Sequence, residues 1–328
     1  LGAAIFMVAI VIAAVVLGPA PGTVTVAKAR FSAPAKAPAA ATRGGDTHGL
    51  AEARLPAGQR NNAPLATPGR TVAGVLIDDL DYDLAAVGEG RQGVPRVRLV
   101  RLPENIREIR KTAERKAVFF KSVLPLVLQA NEQILADRSR LLVLQAQQGA
   151  GARLPAVDRL WLVALADRYA TRPGDIQALL VRHDVVPPSL ALAQAATESA
   201  WGTSRFAREG NAMFGEWTFN AADKGIVPRG RLDGQTYRVR AFETLYDSVQ
   251  SYITNLNRHR AYGEFRALRA KLRATGQTIS GSRLAGTLER YSERGAVYTL
   301  ELQALISGNG LDRLDGARLN RALSFDDT

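Results

Sequence analysis

Cysteine is absent from the 328 residues, which excludes disulfides, thiolate nucleophiles and cysteine-based metal sites. Histidine is scarce: His48, His183 and His259 stand far apart and in no ligand spacing, so no histidine metal centre is expected. Long apolar runs are scarce as well. The single uncharged stretch, Leu1 through Ala27, excludes a polytopic membrane protein, and no internal repeat is evident. What the chain has in excess is positive charge. Its 43 Lys and Arg against 31 Asp and Glu give +12, which favours anionic partners such as nucleic acid, phospholipid or acidic polymers. Apolar residues at 46% and charged residues at 23% lie close to the globular average, so the bulk of the chain can bury a core.

The apolar run Leu1 to Leu17 is near the lower limit for a membrane span, and the sequence is read as a transmembrane anchor or a signal peptide over 1–20. An Ala-, Pro- and Gly-rich stretch follows without helical or strand periodicity, and a linker is expected over 21–70. Lys28, Arg30, Lys36 and Arg43 lie directly after the apolar run, where the positive-inside rule would hold them in the cytoplasm; sequence physics leaves the topology open. Thr71 to Val100 has a short strand-prone piece, VAGVLI. From Pro103 to Gln148 the pattern is helical, with Pro125 a kink or boundary. A second helical region runs from about Leu154 to Ile306, and the last twenty residues are polar and read as peripheral.

The informative run is PPSLALAQAATESAWGTSRFAREGNAMFGEW. Its prolines fix an extended entry, Ser189 is a suitable N-cap, and a helix is expected over Leu190 to Ala200 with Gly202 as its stop. Between Ser189 and Arg205 the only charge before the arginine is Glu198. Gln194, Glu198 and Trp201 follow at i, i+4 and i+7, which puts them on one face of an otherwise apolar helix. A carboxylate in such surroundings has a raised pKa, as protonation of a leaving group near neutral pH requires. The alternative is an exposed helix end with Glu198 paired to Arg205. Aromatic residues gather just downstream: Trp201, Phe206, Phe214, Trp217, Phe219, Tyr237, Phe242, Tyr246, Tyr252 and Tyr262. Some of these belong to a core, Phe206 and Tyr252 especially. The density also suits a groove for flat apolar ligand faces, sugar rings among them. Asp233-Gly234 before the alternating YRVRAF reads as a β-hairpin turn.

These residues carry a resemblance. ALAQAATESAWGTSRFA with GNAMFG resembles the glucosaminidase domain of the glycoside hydrolase 73 type. FFKSVLPLVLQANEQIL, GIVPR, YDSVQSYITNLNRHRAY and YSERGAVYTLEL are similar to the Bax-type branch of that superfamily, over roughly Pro103 to Ile306. The resemblance implies a mainly α (α+β), lysozyme-like helical domain with a small β-hairpin, beside the N-terminal membrane helix and tether. It implies a peptidoglycan hydrolase, an endo-β-N-acetylglucosaminidase with Glu198 as general acid. Tyr291 matches the family tyrosine near the reacting sugar, and Tyr298 echoes a second. Asn211, Phe214 and Gly215 occupy the positions that shape the cleft, and Gln194, Trp201 and Trp217 are the further substrate-binding candidates. No cofactor and no metal are implied. The partners would be peptidoglycan glycan strands, with the inner membrane reached through a single pass and the catalytic domain in the periplasm. The domain plan is then an N-terminal helical region over 71–150, a glucosaminidase-like domain over 151–310 and a tail over 311–328.

One departure stands out. Family members place another acid soon after the FG or in the hairpin as T-x-E, whereas Glu216, Asp223 and Asp233 fall elsewhere here. Glycosidases commonly use two carboxylates, and their separation sets the stereochemistry. The alternative readings are a lytic transglycosylase, which lacks its Gly-Leu-Met-Gln continuation here, and a non-catalytic peptidoglycan-binding scaffold. Nucleic-acid binding is disfavoured. No RNA-binding motif or basic recognition helix is present, and part of the charge excess, +5 of the +12, lies in Lys28 to Arg70.

Overall fold

The computed structural model describes residues 70–72, 80 and 82–321. The anchor expected over 1–20, and all of the expected linker except Arg70, lie outside the described residues. Among the described residues no helix is long and apolar enough to cross a membrane.

A 38-residue helix, α2 (Thr112–Gly149), continues unbroken through Pro125. Proline has no N–H to give to the carbonyl four residues back and pushes that carbonyl aside. The Tyr82 hydroxyl takes the place of the missing donor, bonding to the Lys121 carbonyl at 3.0 Å, so the helix is neither broken nor capped there. Before α2 come strand β1 (Arg70–Val72), helix α1 (Leu84–Gly88) and strand β2 (Val97–Leu99), with β1 and β2 paired in parallel from Arg70↔Val97 to Val72↔Leu99. The first half of α2 is buried on most faces, as its all-round apolar sequence predicts. Its second half gives Leu141 and Leu144 to a separate small cluster with α3 (Ala156–Tyr169) and α4 (Ile176–Arg182), through Leu162, Leu165, Tyr169, Ile176 and Leu179.

Helix α5 (Pro188–Ser199) is the buried centre of the main core, with Leu190, Ala191, Leu192, Ala193, Ala195 and Ala196 all at 0% exposure. It starts two residues earlier than the capping pattern predicts, with Pro187 in place of Ser189 at the cap and Pro188 in the first turn, and the Ser189 N–H donates to Asp315 Oδ1 at 2.9 Å. Around it lie α6 (Arg205–Gly210), α7 (Leu245–Arg258), α8 (Gly263–Ala274), α9 (Gly281–Ala285) and α10 (Ala296–Gly308). Thr244 and Asp247 close a reciprocal capping box at the start of α7.

The fold is mainly α with one small antiparallel sheet beside the two-stranded parallel pair. That sheet is three-stranded, in the order β3 (Trp217–Thr218), β5 (Arg238–Arg240), β4 (Gly225–Ile226). The Asp233-Gly234 turn forms, with Gln235 N–H donating to Leu232 O at 3.2 Å, but the residues before it make no strand. Leu232 is 70% exposed and has no apolar face to pair with, so β5 lies between β3 and β4 with Val239 buried. Residues 311–320 also differ from the peripheral reading. The turn Leu311–Gly316 buries Leu311 and Leu314 in the main core, and residue 319 bridges to Val94.

Candidate active site

Glu198 is the penultimate residue of α5, where the helix ends abruptly. Ala200, Trp201 and Gly202 follow one another in the left-handed region, with φ of 51°, 59° and 76°. The two non-glycine residues there cost on the order of 1–3 kcal/mol each, a strain that the surroundings must over-determine. Three bonds hold the turn: Trp201 N–H to Ala196 O at 2.9 Å, Gly202 N–H to Ser199 Oγ at 2.8 Å and Ser204 N–H to Ser199 O at 3.0 Å. A side chain at Gly202 would place Cβ 2.4 Å from Leu102 Cδ1, so only glycine fits.

Glu198 is half-buried. Its Oε1 accepts from the Tyr298 hydroxyl at 2.9 Å; the Tyr298 oxygen accepts from Gln194 Nε2 at 2.9 Å; and Gln194 Oε1 accepts from the Tyr252 hydroxyl at 2.7 Å. Gln194, Tyr252 and Tyr298 are all at 0% exposure. Ring contacts lock these groups in place. Phe214 stacks on Tyr252 at 3.9 Å and 6°, Tyr291 stacks on Tyr298 at 5.7 Å and 1°, and the Tyr291 hydroxyl donates to Phe214 O at 3.3 Å. Burial pushes the Glu198 carboxyl up to about 7, against the Tyr298 hydrogen bond and the positive charge of Arg294, which both pull it down. A carboxyl so placed is part protonated near neutral pH and can hand a proton to a bound group or take one back.

Of the sequence-predicted residues, the structure brings Gln194, Glu198, Phe214, Tyr291 and Tyr298 together. Asn211 and Gly215 form the turn that carries Phe214. Asn211 caps α6 with φ 52° and donates to Phe242 O at 3.1 Å and Glu243 O at 3.0 Å, and Gly215 has φ 65°. Trp217 lies on β3, stacked on Tyr237 at 4.3 Å and 5°. Trp201 leaves the face that its spacing predicts, because the left-handed residues turn the chain. Its ring meets Phe119 at 5.9 Å and Phe120 at 5.4 Å on α2, with Lys116 Nζ 4.7 Å away. Sequence reasoning placed Tyr252 in the core, and it is buried, but its hydroxyl also reaches the Glu198 network. Arg294, at 5.5 Å over the Tyr298 ring, was not foreseen; its position in RYSERGAVY beside Tyr291 and Tyr298 was the available signal. Glu216 is bonded to Ser251, whose hydroxyl donates to its Oε2 at 2.7 Å, and is 4% exposed. No group of three or more His, Asp or Glu among the described residues is placed to hold a metal ion.

The family profile for mannosyl-glycoprotein endo-beta-N-acetylglucosaminidase, the glucosaminidase domain, matches residues 175–309. Protein bax of Escherichia coli (strain K12) is 34% identical over 217 residues, which cover 63% of this chain and 74% of that protein. The chain belongs to the Bax-like glucosaminidase-domain family. No solved structure matches it. In this Bax-like chain the profile match begins at the Asp175 cap of α4 and closes at the end of α10, so it holds the whole Glu198 network. The alignment with protein bax is longer than that block, so the likeness continues past the glucosaminidase domain.

Proposed function

We propose that the chain is a peptidoglycan hydrolase, an endo-β-N-acetylglucosaminidase in which Glu198 is the general acid. The observation that carries this reading is the state of Glu198: part-buried with some access to solvent, held by one hydroxyl donor and pushed up to about 7 by burial. Cleavage of a glycosidic bond needs a proton delivered to the departing oxygen, and a carboxyl of that acidity is protonated often enough at neutral pH to supply it. The ring faces of Phe214, Tyr291 and Tyr298 are spent on one another and on Tyr252, so in this reading they fix the acid and leave sugar contact to the open side of Glu198. Trp217, Tyr237 and the half-exposed Phe219 form an aromatic ledge on the sheet that suits a sugar face. The apolar segment Leu1–Leu17 supports a further part of the proposal, an inner-membrane tether, and a wall-glycan substrate would put the domain on the periplasmic side.

The test is mass spectrometry of fragments released from purified peptidoglycan by wild type and by Glu198→Gln. The expected result is fragments with reducing N-acetylglucosamine ends from the wild type, reduced by about 10²–10⁴-fold in a variant that melts normally. Anhydro-muramic ends would make the chain a lytic transglycosylase instead. A folded protein that sediments with the wall and releases nothing would make it a binding scaffold, and undiminished cleavage by the variant would remove Glu198 from the reaction.

A further inference from the structure

The direction of the Tyr252–Gln194–Tyr298–Glu198 chain is dictated by its far end. Tyr252 is at 0% exposure, and among the described residues its hydroxyl proton has one recorded acceptor, Gln194 Oε1 at 2.7 Å. With Oε1 committed there, the amide presents Nε2 to Tyr298. An amide N–H only donates, so the Tyr298 oxygen receives it and turns its own proton to Glu198 Oε1 at 2.9 Å. Flipping the amide would reverse every bond. Tyr298 would then donate to the amide oxygen and its own oxygen would accept from a protonated Glu198 Oε1. That arrangement leaves the buried Tyr252 proton without an acceptor, which costs about 1–3 kcal/mol.

We propose that Tyr252 and Gln194 are positioning residues that lock the amide in one orientation, deliver an obligatory hydroxyl donor to Glu198 Oε1, confine the carboxyl proton to Oε2 and thereby set the acidity of Glu198. As a catalytic device this rests on the reading of Glu198 as general acid; as a statement about one carboxyl it stands alone. The titratable and charged groups around Glu198 are few: Tyr298 and Arg294 from α10 and the turn before it, Tyr291 from the turn Glu289–Tyr291, Tyr252 from α7 and Tyr262 from the turn Arg260–Tyr262. Arg294 is tied to Glu301 at 2.5 Å. The tyrosines stay neutral because burial raises each of them, so the donor at Oε1 is the adjustable influence. A donor aimed at a carboxylate favours its ionised form, so loosening that donor moves the titration to higher pH.

The experiment is a pH titration of the Glu198 carboxyl in the whole chain, by infrared difference spectroscopy with ¹³C-labelled glutamate and Glu198→Gln to assign the band. Tyr252→Phe, two side chains away, is expected to shift the midpoint upward. Tyr298→Phe should shift it upward at least as far, and the double variant no further than Tyr298→Phe alone, because both act through one bond. A midpoint that is unmoved or lowered in Tyr252→Phe, or shifts that simply add in the double variant, would overturn the proposal. If Tyr252→Phe does not fold, Gln194→Met removes the amide and leaves both tyrosines; an upward shift is again expected, and its absence overturns the relay. Under the hydrolase reading the alkaline limb of kcat moves with the carboxyl midpoint. A chain that titrates as expected but cleaves no glycan would keep the relay and discard the hydrolase.

Discussion

Glu216 shows how much one buried carboxyl is governed by its surroundings. Its Oε2 accepts from Ser251 at 2.7 Å, Arg240 Nη1 approaches only to 4.0 Å, and Oε1 is buried with no partner. Burial therefore raises it to about 7, outweighing the Ser251 hydrogen bond and the Arg240 charge. An unfolded glutamate titrates at ~4.3, so between the two values the folded state holds a proton that the unfolded state has released. The stabilising effect of that proton is complete below the unfolded value and is lost as pH rises through about 7. Glu216→Gln keeps an acceptor for Ser251 and removes the titration. It should raise stability by roughly 1–3 kcal/mol at pH 8 and change it little at pH 4. Urea unfolding at the two pH values reads this directly; an equal effect at both would mean that Glu216 ionises freely. At this scale the sequence exposed the candidates well, since Gln194 and Glu198 are joined by i, i+4 spacing on one helix. It did not expose the hydroxyl of Tyr252. On α7 the residues facing the core and those facing the site lie on the same stripe, so no periodicity tells them apart.

Among the elements, α2 survives an interior proline because another segment repairs the gap. The Tyr82 hydroxyl occupies the Lys121 carbonyl that Pro125 cannot serve, and Tyr82 is 3% exposed, so water does not replace it readily. Tyr82→Phe should cost about 1–2 kcal/mol for the unpaired carbonyl. In a Pro125→Ala background the new N–H serves that carbonyl, and the same substitution should cost only a few tenths of a kcal/mol. Denaturant midpoints of the four proteins form the cycle; equal costs in both backgrounds would show that Tyr82 acts through packing alone. Helix periodicity made the mainly α character and the end of α2 near Gln148 legible; the start expected at Pro103 is instead a short separate turn over Glu104–Arg107, with α2 beginning at Thr112, and a proline's partner 43 positions earlier in the chain leaves no local trace. The hairpin shows the same limit. The Asp233-Gly234 turn is local and forms, whereas strand pairing depends on which distant residues offer β5 a backbone edge, and these proved to be β3 and β4.

For the molecule as a whole, the segment that the sequence assigned to a tail ties the fold together. A run of mixed polar residues such as LDRLDGARLN has no periodic face, so its two buried leucines and its one inward carboxylate could not be told from a solvated end. In the structure Asp315 joins three regions: Oδ1 accepts from the Ser189 N–H at 2.9 Å and Oδ2 from the Gly281 N–H at 2.9 Å. Those are the first turns of α5 and α9, where helix N–H groups have no partner within the helix and where a negative charge is favoured. The two helices meet so closely there that a Cβ on Gly281 would lie 2.0 Å from Ser189 Oγ. Asp315→Ala strands both N–H groups and should cost roughly 2–4 kcal/mol. Asp315→Asn keeps one acceptor but turns an amide toward the other N–H, so its cost should be similar or only slightly lower. Because α5 carries Glu198 at its far end, the loss at Asp315 loosens the helix that holds the acid. In the Asp315→Ala protein, hydrogen exchange of the α5 amides should quicken together with those of α9, while the cluster of α3 and α4, which has its own apolar contacts, stays protected. Protection lost evenly across all the helices would show instead that the chain opens as one unit and that Asp315 is no more than one contact among many.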